Sequence, residues 1–198
     1  IDDDTTVLSL DGIGAYDHVS RACFLEELRN NADLAPLLPF VRLWYSRPST
    51  YTWRDENGTV HNIAQAEGVE QGDPLSPLLF SLAVHAALTH AQESLREGEY
   101  LFAFLDDVYT ITPKRRATEV ARLVATRIHQ HAGVEPKLGK FQIWSKGGGP
   151  EPEGIDDLLD GAPRPADPIW RGDLDAERNG MVILGTPVGS PEFVQRFL

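Results

Sequence analysis

The chain has 198 residues, 41% of them hydrophobic, which is enough apolar content for one domain with a sizeable core. Its single cysteine, Cys23, excludes an intrachain disulfide, and no apolar run approaches the roughly 20 residues of a membrane span. The net charge of −12 argues against a nucleic-acid partner, because phosphate binding favours basic surfaces.

The acidic charge is distributed unevenly along the chain. Residues 150–178 contain nine acidic residues and three arginines, whereas residues 114–146 carry a local charge of +6. The net charge therefore does not exclude a basic face that binds nucleic acid, although a basic amphipathic helix is more often a solvated surface.

The first half of the chain predicts one strand, two helices and a hairpin. The β-branched and apolar residues 5–10 indicate a buried strand, and residues 18–32 have the apolar spacing of a helix. A shorter helix is predicted after Pro39. An Asn-Gly turn signal within residues 49–63 predicts a β-hairpin.

The second half begins with a predicted core-facing helix over residues 74–95, which carry a proline in the first turn and a leucine stripe. Two strands, 100–105 and 108–112, follow it. The remaining predicted elements are a basic amphipathic helix at 115–131, a strand at 140–145, a loose Gly- and Pro-rich loop or linker at 147–180, and a last short strand at 181–188. This order predicts an α+β fold in which an antiparallel sheet is backed by helices.

Three segments contain the candidate site: LSLDGIGAYD (8–17), EGVEQGDPLSPLLF (67–80) and FAFLDDVYTIT (102–112). Taken alone, each is a weak signal, because an Asp after a strand is usually a turn residue or a helix cap. Asp106 and Asp107, however, interrupt strands that we expect to be central in the sheet, with Phe104 packed in it. A buried carboxylate pair requires a cationic partner, and no Lys or Arg other than Lys114 lies within seven residues. Three carboxylates, including Asp11, suit Mg²⁺.

In this order the three segments resemble motifs A, B and C of a reverse transcriptase palm, and they are most similar to the non-LTR retrotransposon (LINE-type) group. Residues 132–144 resemble motif D of the same series, and residues 182–189 resemble motif E. QGDPLSPLLF is the most specific of the five motifs, which together cover most of the chain. The resemblance implies the ferredoxin-like palm of a right-hand polymerase, without the fingers and thumb that flank it in the family.

The resemblance also implies how the chain is organised. We expect a palm with motifs A to D in residues 1–146, an acidic loop or linker at 147–180, and the motif E strand with the end of the fragment at 181–198. The resemblance further implies an intracellular protein, with the nucleus as a candidate location.

The implied activity is that of an RNA-directed DNA polymerase, which transfers nucleotides from dNTPs to the 3′-hydroxyl of a DNA primer on an RNA or DNA template. Two Mg²⁺ ions are the implied cofactors, with Mn²⁺ as an alternative. The implied catalytic and metal-binding residues are Asp11, Asp106 and Asp107, with the Gly12 carbonyl as a further metal ligand. The implied substrate-binding residues are Gly14 and Ala15 near the triphosphate, Tyr16 under the sugar, Gln71 and Gly72 in the nucleotide pocket, and Lys140 near the phosphates.

Two positions depart from the family's pattern. Leu105 stands where the group more often has Ala before the Asp pair, and Lys137 stands at a position that is usually Asn. The main alternative is a catalytically inactive remnant of a retroelement, which folds or binds a partner without doing chemistry. A palm-fold nucleotide cyclase is a third alternative, but FLDD lacks the two glycines of that enzyme's hairpin.

Overall fold

The structure, a computed structural model, describes residues 3–197 without the side chain of Leu138. The strands are β1 (Thr5–Leu10), β2 (Ser49–Arg54), β3 (Val60–Gln65), β4 (Tyr100–Phe104), β5 (Asp107–Pro113), β6 (Gln142–Ser145), β7 (Gly180–Ile183) and β8 (Thr186–Gly189). The helices are α1 (Ala15–His18), α2 (Arg21–Asn30), α3 (Leu38–Tyr45), α4 (Ser76–Glu93), α5 (Ala117–Ala132), α6 (Ile155–Leu158) and α7 (Pro191–Phe197). Within the described residues, none of these helices combines the length and the apolar character that a membrane crossing requires.

The chain divides into two compact units, and the first, the sheet unit, contains a four-stranded sheet. The sheet unit consists of the described residues up to Ile13, Leu88–Arg127 and the described residues from Pro136 onward. The strand order is β4-β5-β1-β6, and every neighbouring pair is antiparallel. Helices connect β1 to β4 and β5 to β6, so the topology is ferredoxin-like. The predicted α+β fold with an antiparallel sheet is confirmed.

The two faces of the sheet bury different side chains, because side chains alternate along a strand. One face carries Leu8 and Ile143, which pair across β1 and β6 and are both buried. On the other face, Val7 and Trp144 pack against Met181 of β7. The β7–β8 hairpin therefore covers part of this second face.

The expectation that both strands around the Asp pair are central in the sheet is wrong for β4. β5 is central, whereas β4 is an edge strand. Its residues Tyr100, Phe102 and Phe104 are exposed, and Phe104, which was expected to pack in the sheet, is 61% exposed. Hydrophobicity along a strand does not reveal whether a second neighbour is present, because that neighbour comes from elsewhere in the chain.

Residues 147–180, whose composition predicts a loose loop or linker, are largely irregular but are packed into the sheet unit. They contain α6 and belong to the sheet unit, and their side chains Ile155, Leu158 and Trp170 are buried. Trp170 also forms a backbone bridge with Ile143 of β6. Widely spaced apolar residues in a Gly- and Pro-rich segment have no regular period, so their burial is not visible in the sequence.

The predicted single strand at 181–188 is instead a β-hairpin of β7 and β8. Leu184 and Gly185 form its two-residue turn and have φ angles of 47° and 80°. Positive φ at both central residues is typical of a type I′ turn. The sequence does not predict this turn, because its first residue is a leucine and residues with a Cβ atom rarely adopt the left-handed conformation.

The helical unit consists of Gly14–Ala87 and Ile128–Glu135. Its helices α2 and α3 and its β2–β3 hairpin lie where the sequence predicted helices and a hairpin, within a few residues, whereas the short helix α1 was not predicted. Phe24, Leu28 and Leu79 are fully buried in it. The hairpin, in contrast, is exposed along almost its whole length.

Candidate active site

Asp11, Asp106 and Asp107 lie at one end of the central strand pair. Asp11 directly follows β1, whose last residue, Leu10, pairs with Val108 of β5. Asp107 directly precedes Val108, so antiparallel pairing places Asp11 and Asp107 side by side on neighbouring strands. Asp106 occupies the turn just before Asp107. The structure therefore brings Asp11 next to the Asp106-Asp107 pair, which lies in a distant part of the sequence.

The turn between β4 and β5 contains a strained residue. It consists of Leu105 and Asp106 and is closed by the pair Phe104 and Asp107. Leu105 has a φ of 56°, a left-handed conformation that costs a residue with a Cβ atom about 1 kcal/mol or more. Positive φ at the first central residue is typical of a type II′ turn, in which glycine normally takes this position.

The carboxylates repel one another electrostatically. Partial burial, followed by the charges of Asp106 and Asp11, raises the pKa of Asp107 above its usual range. Asp106 and Asp107 are nevertheless exposed, so the expectation of a buried carboxylate pair is wrong. This expectation is wrong because β4 is an edge strand, so the turn that carries the pair is accessible to solvent. Three aspartates that repel one another at an accessible strand end are still a charge arrangement that a divalent cation would relieve.

The donor chemistry of this cluster fits Mg²⁺, whereas its ligand geometry is incomplete. Carboxylate oxygens are the ligands that Mg²⁺ prefers in proteins. Yet in the part of the chain that the structure describes, no group of three His, Cys, Asp or Glu side chains is arranged to hold a metal ion. Asp11 is engaged by a lysine, with 3.0 Å between its Oδ2 atom and Nζ of Lys140.

Lys140 is held beside Asp11 by the backbone that precedes it. The N–H of Lys137 donates to the Asp11 carbonyl at 2.8 Å, and Gly12 forms a backbone bridge with Pro136. The hydrogen bond to Asp11 raises the pKa of Lys140, so its ammonium group stays protonated. The family resemblance implied a lysine near the phosphates but not its contact with Asp11, because a lysine's place in the sequence does not reveal its partner.

A cavity of about 520 Å³ opens beside these residues within the sheet unit. Its lining includes Asp11, Asp107, Lys140, Tyr109 and Arg171. The sequence predicted no role for Tyr109 or Arg171. The hydroxyl of Tyr109 accepts a hydrogen bond from the N–H of Leu184 at 3.3 Å, which ties β5 to the β7–β8 hairpin. Arg171 forms an ion pair with Asp167 and lies in the irregular segment 147–180, where no motif pointed to it.

Three of the implied substrate-binding residues form the start of α1 in the helical unit. Gly14 has a φ of 48°, so the turn uses the left-handed conformation that glycine tolerates. Ala15, the next residue, is buried. The ring of Tyr16 stacks on Phe80 of α4, with 4.6 Å between ring centroids and 6° between planes. This stacking fixes the orientation of the tyrosine ring.

The QGDP loop lies next to this turn in the same unit. The N–H of Val69 donates to the Tyr16 carbonyl at 2.7 Å, and Nε2 of Gln71 lies 3.5 Å from each carboxylate oxygen of Asp17. Gly72 has a φ of 96° and open space around its α-carbon. The structure therefore brings Tyr16, Gln71 and Gly72 together within the helical unit, and their roles toward a nucleotide stay predictions.

The fold is similar to that of telomerase structures from two yeasts. Telomerase from Candida albicans, in complex with the TWJ fragment of telomeric RNA, has a TM-score of 0.57 at 13% identity, and the match covers 96% of this chain and 30% of that chain. Apo telomerase from Candida tropicalis, truncated from its C-terminal domain, has a TM-score of 0.54 at 13% identity, and the match covers 95% of this chain and 34% of that chain. The similarity concerns the fold, and it confirms the predicted palm of a right-hand polymerase.

A relative in sequence comes from a retrotransposable element. The SLACS 132 kDa protein of Trypanosoma brucei gambiense is 31% identical over 134 residues, which are 68% of this chain and 11% of that protein. The chain thus spans about a tenth of the length of the curated relative it matches. The family described as reverse transcriptase (RNA-dependent DNA polymerase) matches residues 1–185. The chain therefore belongs to the reverse transcriptase family, as its motifs predicted.

Proposed function

We propose that this chain forms the catalytic palm of an RNA-directed DNA polymerase. The reaction is the transfer of a nucleotide from a dNTP to the 3′-hydroxyl of a DNA primer on an RNA or DNA template. The observation that carries the proposal is the pairing of Leu10 with Val108, which aligns Asp11 with Asp107 at the ends of two central strands. Membership of the reverse transcriptase family supports it.

The three carboxylates are the proposed metal ligands. Asp11, Asp106 and Asp107 would hold two Mg²⁺ ions, or Mn²⁺, with the Gly12 carbonyl as a further ligand. Such ions, when bound, lower the pKa of the primer hydroxyl and neutralise charge on the leaving pyrophosphate. The raised pKa of Asp107 supports this assignment, because a cation would relieve the repulsion that contributes to it.

The other implied residues are proposed to bind the nucleotide. Lys140 holds an ammonium group beside Asp11, where it would neutralise phosphate charge. Tyr16, fixed by its stack on Phe80, would lie under the sugar. The remaining proposed contacts are the backbone of Gly14 and Ala15 near the triphosphate, and Gln71 and Gly72 in the nucleotide pocket.

The second candidate is a catalytically inactive retroelement remnant. One observation favours it: the described residues contain no group of three ligand side chains already arranged for a metal ion. A remnant of this kind would keep the fold and the family motifs, whereas cation binding and nucleotide transfer would both be lost.

Primer extension by the full-length protein on an RNA template tests the proposal. We expect Asp107→Asn to lower kcat by roughly 10³-fold or more, because it removes a charge that neutralises the metal ions without changing side-chain size. Asp106→Ala should have a comparable effect. Asp33→Asn is the matched control, since Asp33 is an exposed aspartate outside the proposed site.

Direct measurement of Mn²⁺ binding by electron paramagnetic resonance separates the two candidates. If the protein is a polymerase, we expect it to bind Mn²⁺ and we expect Asp107→Asn to weaken that binding. Full activity in Asp107→Asn would refute the proposed active site. A parent protein that neither extends primers nor binds Mn²⁺ would favour the remnant.

A further inference from the structure

Tyr45 is a buried residue of the helical unit whose hydroxyl group reaches the QGDP loop. It is the last residue of α3 and is only 4% exposed. Its ring packs edge-on against Phe24 with 5.6 Å between centroids, and the Cζ atom of Arg21 lies 5.3 Å from the Tyr45 ring centroid. These contacts fix the direction in which the hydroxyl group points.

The hydroxyl group contacts both residues that flank Gln71 and Gly72. It donates to Oδ2 of Asp73 at 2.6 Å and accepts from the N–H of Glu70 at 3.4 Å. A hydrogen bond to a carboxylate is shorter and stronger than one between neutral groups. Burial, followed by the hydrogen bond to Asp73, raises the pKa of Tyr45, so the hydroxyl keeps the proton that it donates.

Glu70 and Asp73 are also held by residues at the start of α4. The second carboxylate oxygen of Asp73 accepts from the N–H of Leu75 at 2.9 Å, just before the helix begins. The hydroxyl of Ser76 donates to the Glu70 carbonyl at 2.6 Å. The two residues are therefore fixed both by the start of α4 and by the Tyr45 hydroxyl.

Gln71 and Gly72 have fewer restraints of their own. Both are exposed, and Gly72 has a φ of 96° with open space around its α-carbon. Glycine has more backbone freedom than other residues, so an exposed stretch that contains it keeps one conformation only at an entropic cost. Fixing the two ends of the stretch lowers that cost.

We propose that Tyr45 is a positioning residue, whose hydroxyl group links Glu70 to Asp73 and thereby holds Gln71 and Gly72 in the conformation that binds the nucleotide. The inference rests on the proposed function for the identity of the ligand, a deoxynucleoside triphosphate. The hydroxyl acts on the loop and not on the carboxylates that carry the chemistry. Its loss therefore weakens nucleotide binding more than it slows the chemical step.

Tyr45→Phe tests the proposal, because it removes the hydroxyl and keeps the ring in the core. In primer extension by the full-length protein, we expect the KM for dNTP to rise at least about tenfold, the lower end of the range that corresponds to one lost hydrogen bond to a charged group. The value of kcat should change by less than about threefold. A fall in kcat with an unchanged KM would contradict a positioning role.

Tyr51→Phe is the matched control. The Tyr51 hydroxyl also donates to Glu70, but to its side chain, and Tyr51 is 39% exposed. The same chemical change at this neighbouring tyrosine should leave the KM within about twofold of the parent value. A rise in KM as large as that of Tyr45→Phe would show that any contact to Glu70 has this effect, and it would overturn the specific role of Tyr45.

Backbone hydrogen exchange of the chain gives a second readout that does not depend on activity. The amides of residues 69–73, 75 and 76 should exchange at least about fivefold faster in Tyr45→Phe, whereas the amides of α2 should keep the parent rate. If the loop amides keep the parent rate, the inference is wrong. A parent protein that extends no primer counts against the proposed function, and the exchange rates then decide the role of Tyr45 alone.

Discussion

At the scale of single residues, Gly68 is the glycine of the helical unit with least room for a side chain. Its φ is 79°, and a Cβ atom there would clash with the backbone carbonyl of Asp17. The close approach lets the N–H of Gly68 donate to the Val19 carbonyl at 2.8 Å. Glycine is therefore required both by its backbone conformation and by the neighbouring chain.

We predict that Gly68→Ala lowers the free energy of unfolding by roughly 2–4 kcal/mol, because conformational strain and a steric clash add together. Gly58→Ala is the matched control in the same unit. Gly58 has a φ of 81° but nothing within 4 Å of a Cβ atom, so only the conformational cost of about 1 kcal/mol applies. Urea unfolding measures both variants, and equal losses would contradict a steric role for the Asp17 carbonyl.

At the scale of elements, the β4–β5 hairpin is anchored at the end opposite its Asp-containing turn. Glu99 lies just before β4, and its side chain is 2% exposed. It accepts hydrogen bonds from Nε of Arg116 at 2.7 Å and from the hydroxyl of Thr112 at 2.8 Å. Arg116 follows β5, so this ion pair joins the two ends of the hairpin and supports the register that aligns Asp107.

We predict that Glu99→Gln destabilises the protein in a pH-dependent way. Hydrogen bonding to Arg116, opposed by burial, lowers the pKa of Glu99 from its ordinary value of 4.5 to about 2. The folded-state pKa is lower than the unfolded one, so this stabilisation is present above pH 4.5 and is lost as the pH falls toward 2. Denaturant unfolding should show a loss of about 3 kcal/mol at pH 7 that shrinks across this window.

Glu119→Gln is the control for this ion pair. Glu119 contacts the same guanidinium group of Arg116, but its side chain is 63% exposed. Exposed ion pairs contribute little, so the control should cost less than about 1 kcal/mol. A loss in Glu99→Gln that does not vary between pH 7 and pH 2 would argue against the lowered pKa as its source.

At the scale of the whole molecule, residues 147–180 are a structural part of the sheet unit. The N–H of Ile143 donates to the Ile169 carbonyl at 2.8 Å, which attaches the segment to β6. Nε1 of Trp170 donates to the Gly149 carbonyl at 3.0 Å, so the buried indole also closes the segment on itself.

We predict that Trp170→Ala lowers the free energy of unfolding by about 3–5 kcal/mol, because it leaves a cavity and an unpaired Gly149 carbonyl. The exposed Trp53 on the β2–β3 hairpin provides the control, and Trp53→Ala should cost less than about 1 kcal/mol. Thermal unfolding compares the two variants. If Trp170→Ala unfolds like the parent protein, the segment behaves as the loose loop or linker that its composition predicted.

Local patterns in the sequence predict most of the regular elements. The leucine stripe predicted α4, the Asn-Gly signal predicted the β2–β3 hairpin, and β-branched and apolar runs predicted β1 and β5. The motif order then predicted the palm fold, because each motif occupies a fixed place in the family's sheet. These features depend on residues that are close in sequence, or on a resemblance that already contains the tertiary arrangement.

The features that the sequence did not reveal depend on contacts between distant residues. The ion pair of Lys140 with Asp11 and the hydrogen bond of Tyr45 to Asp73 each join segments separated by many residues. The edge position of β4 depends on which strands pair elsewhere in the sheet. A local pattern contains no information on such partners.

The pairing of Leu10 with Val108 also determines where the chain can change its length. The carboxylates are aligned by strand register, so extra residues in the exposed turn between β2 and β3 would leave Asp11 and Asp107 in place. One extra residue inside β5 would shift its pairing with β1 and turn the side chains beyond the insertion to the other face of the sheet, because side chains alternate with a period of two. Asp107 would then no longer be aligned with Asp11. Insertions and deletions in related sequences should therefore be common in that turn and rare in the strands that carry the acids.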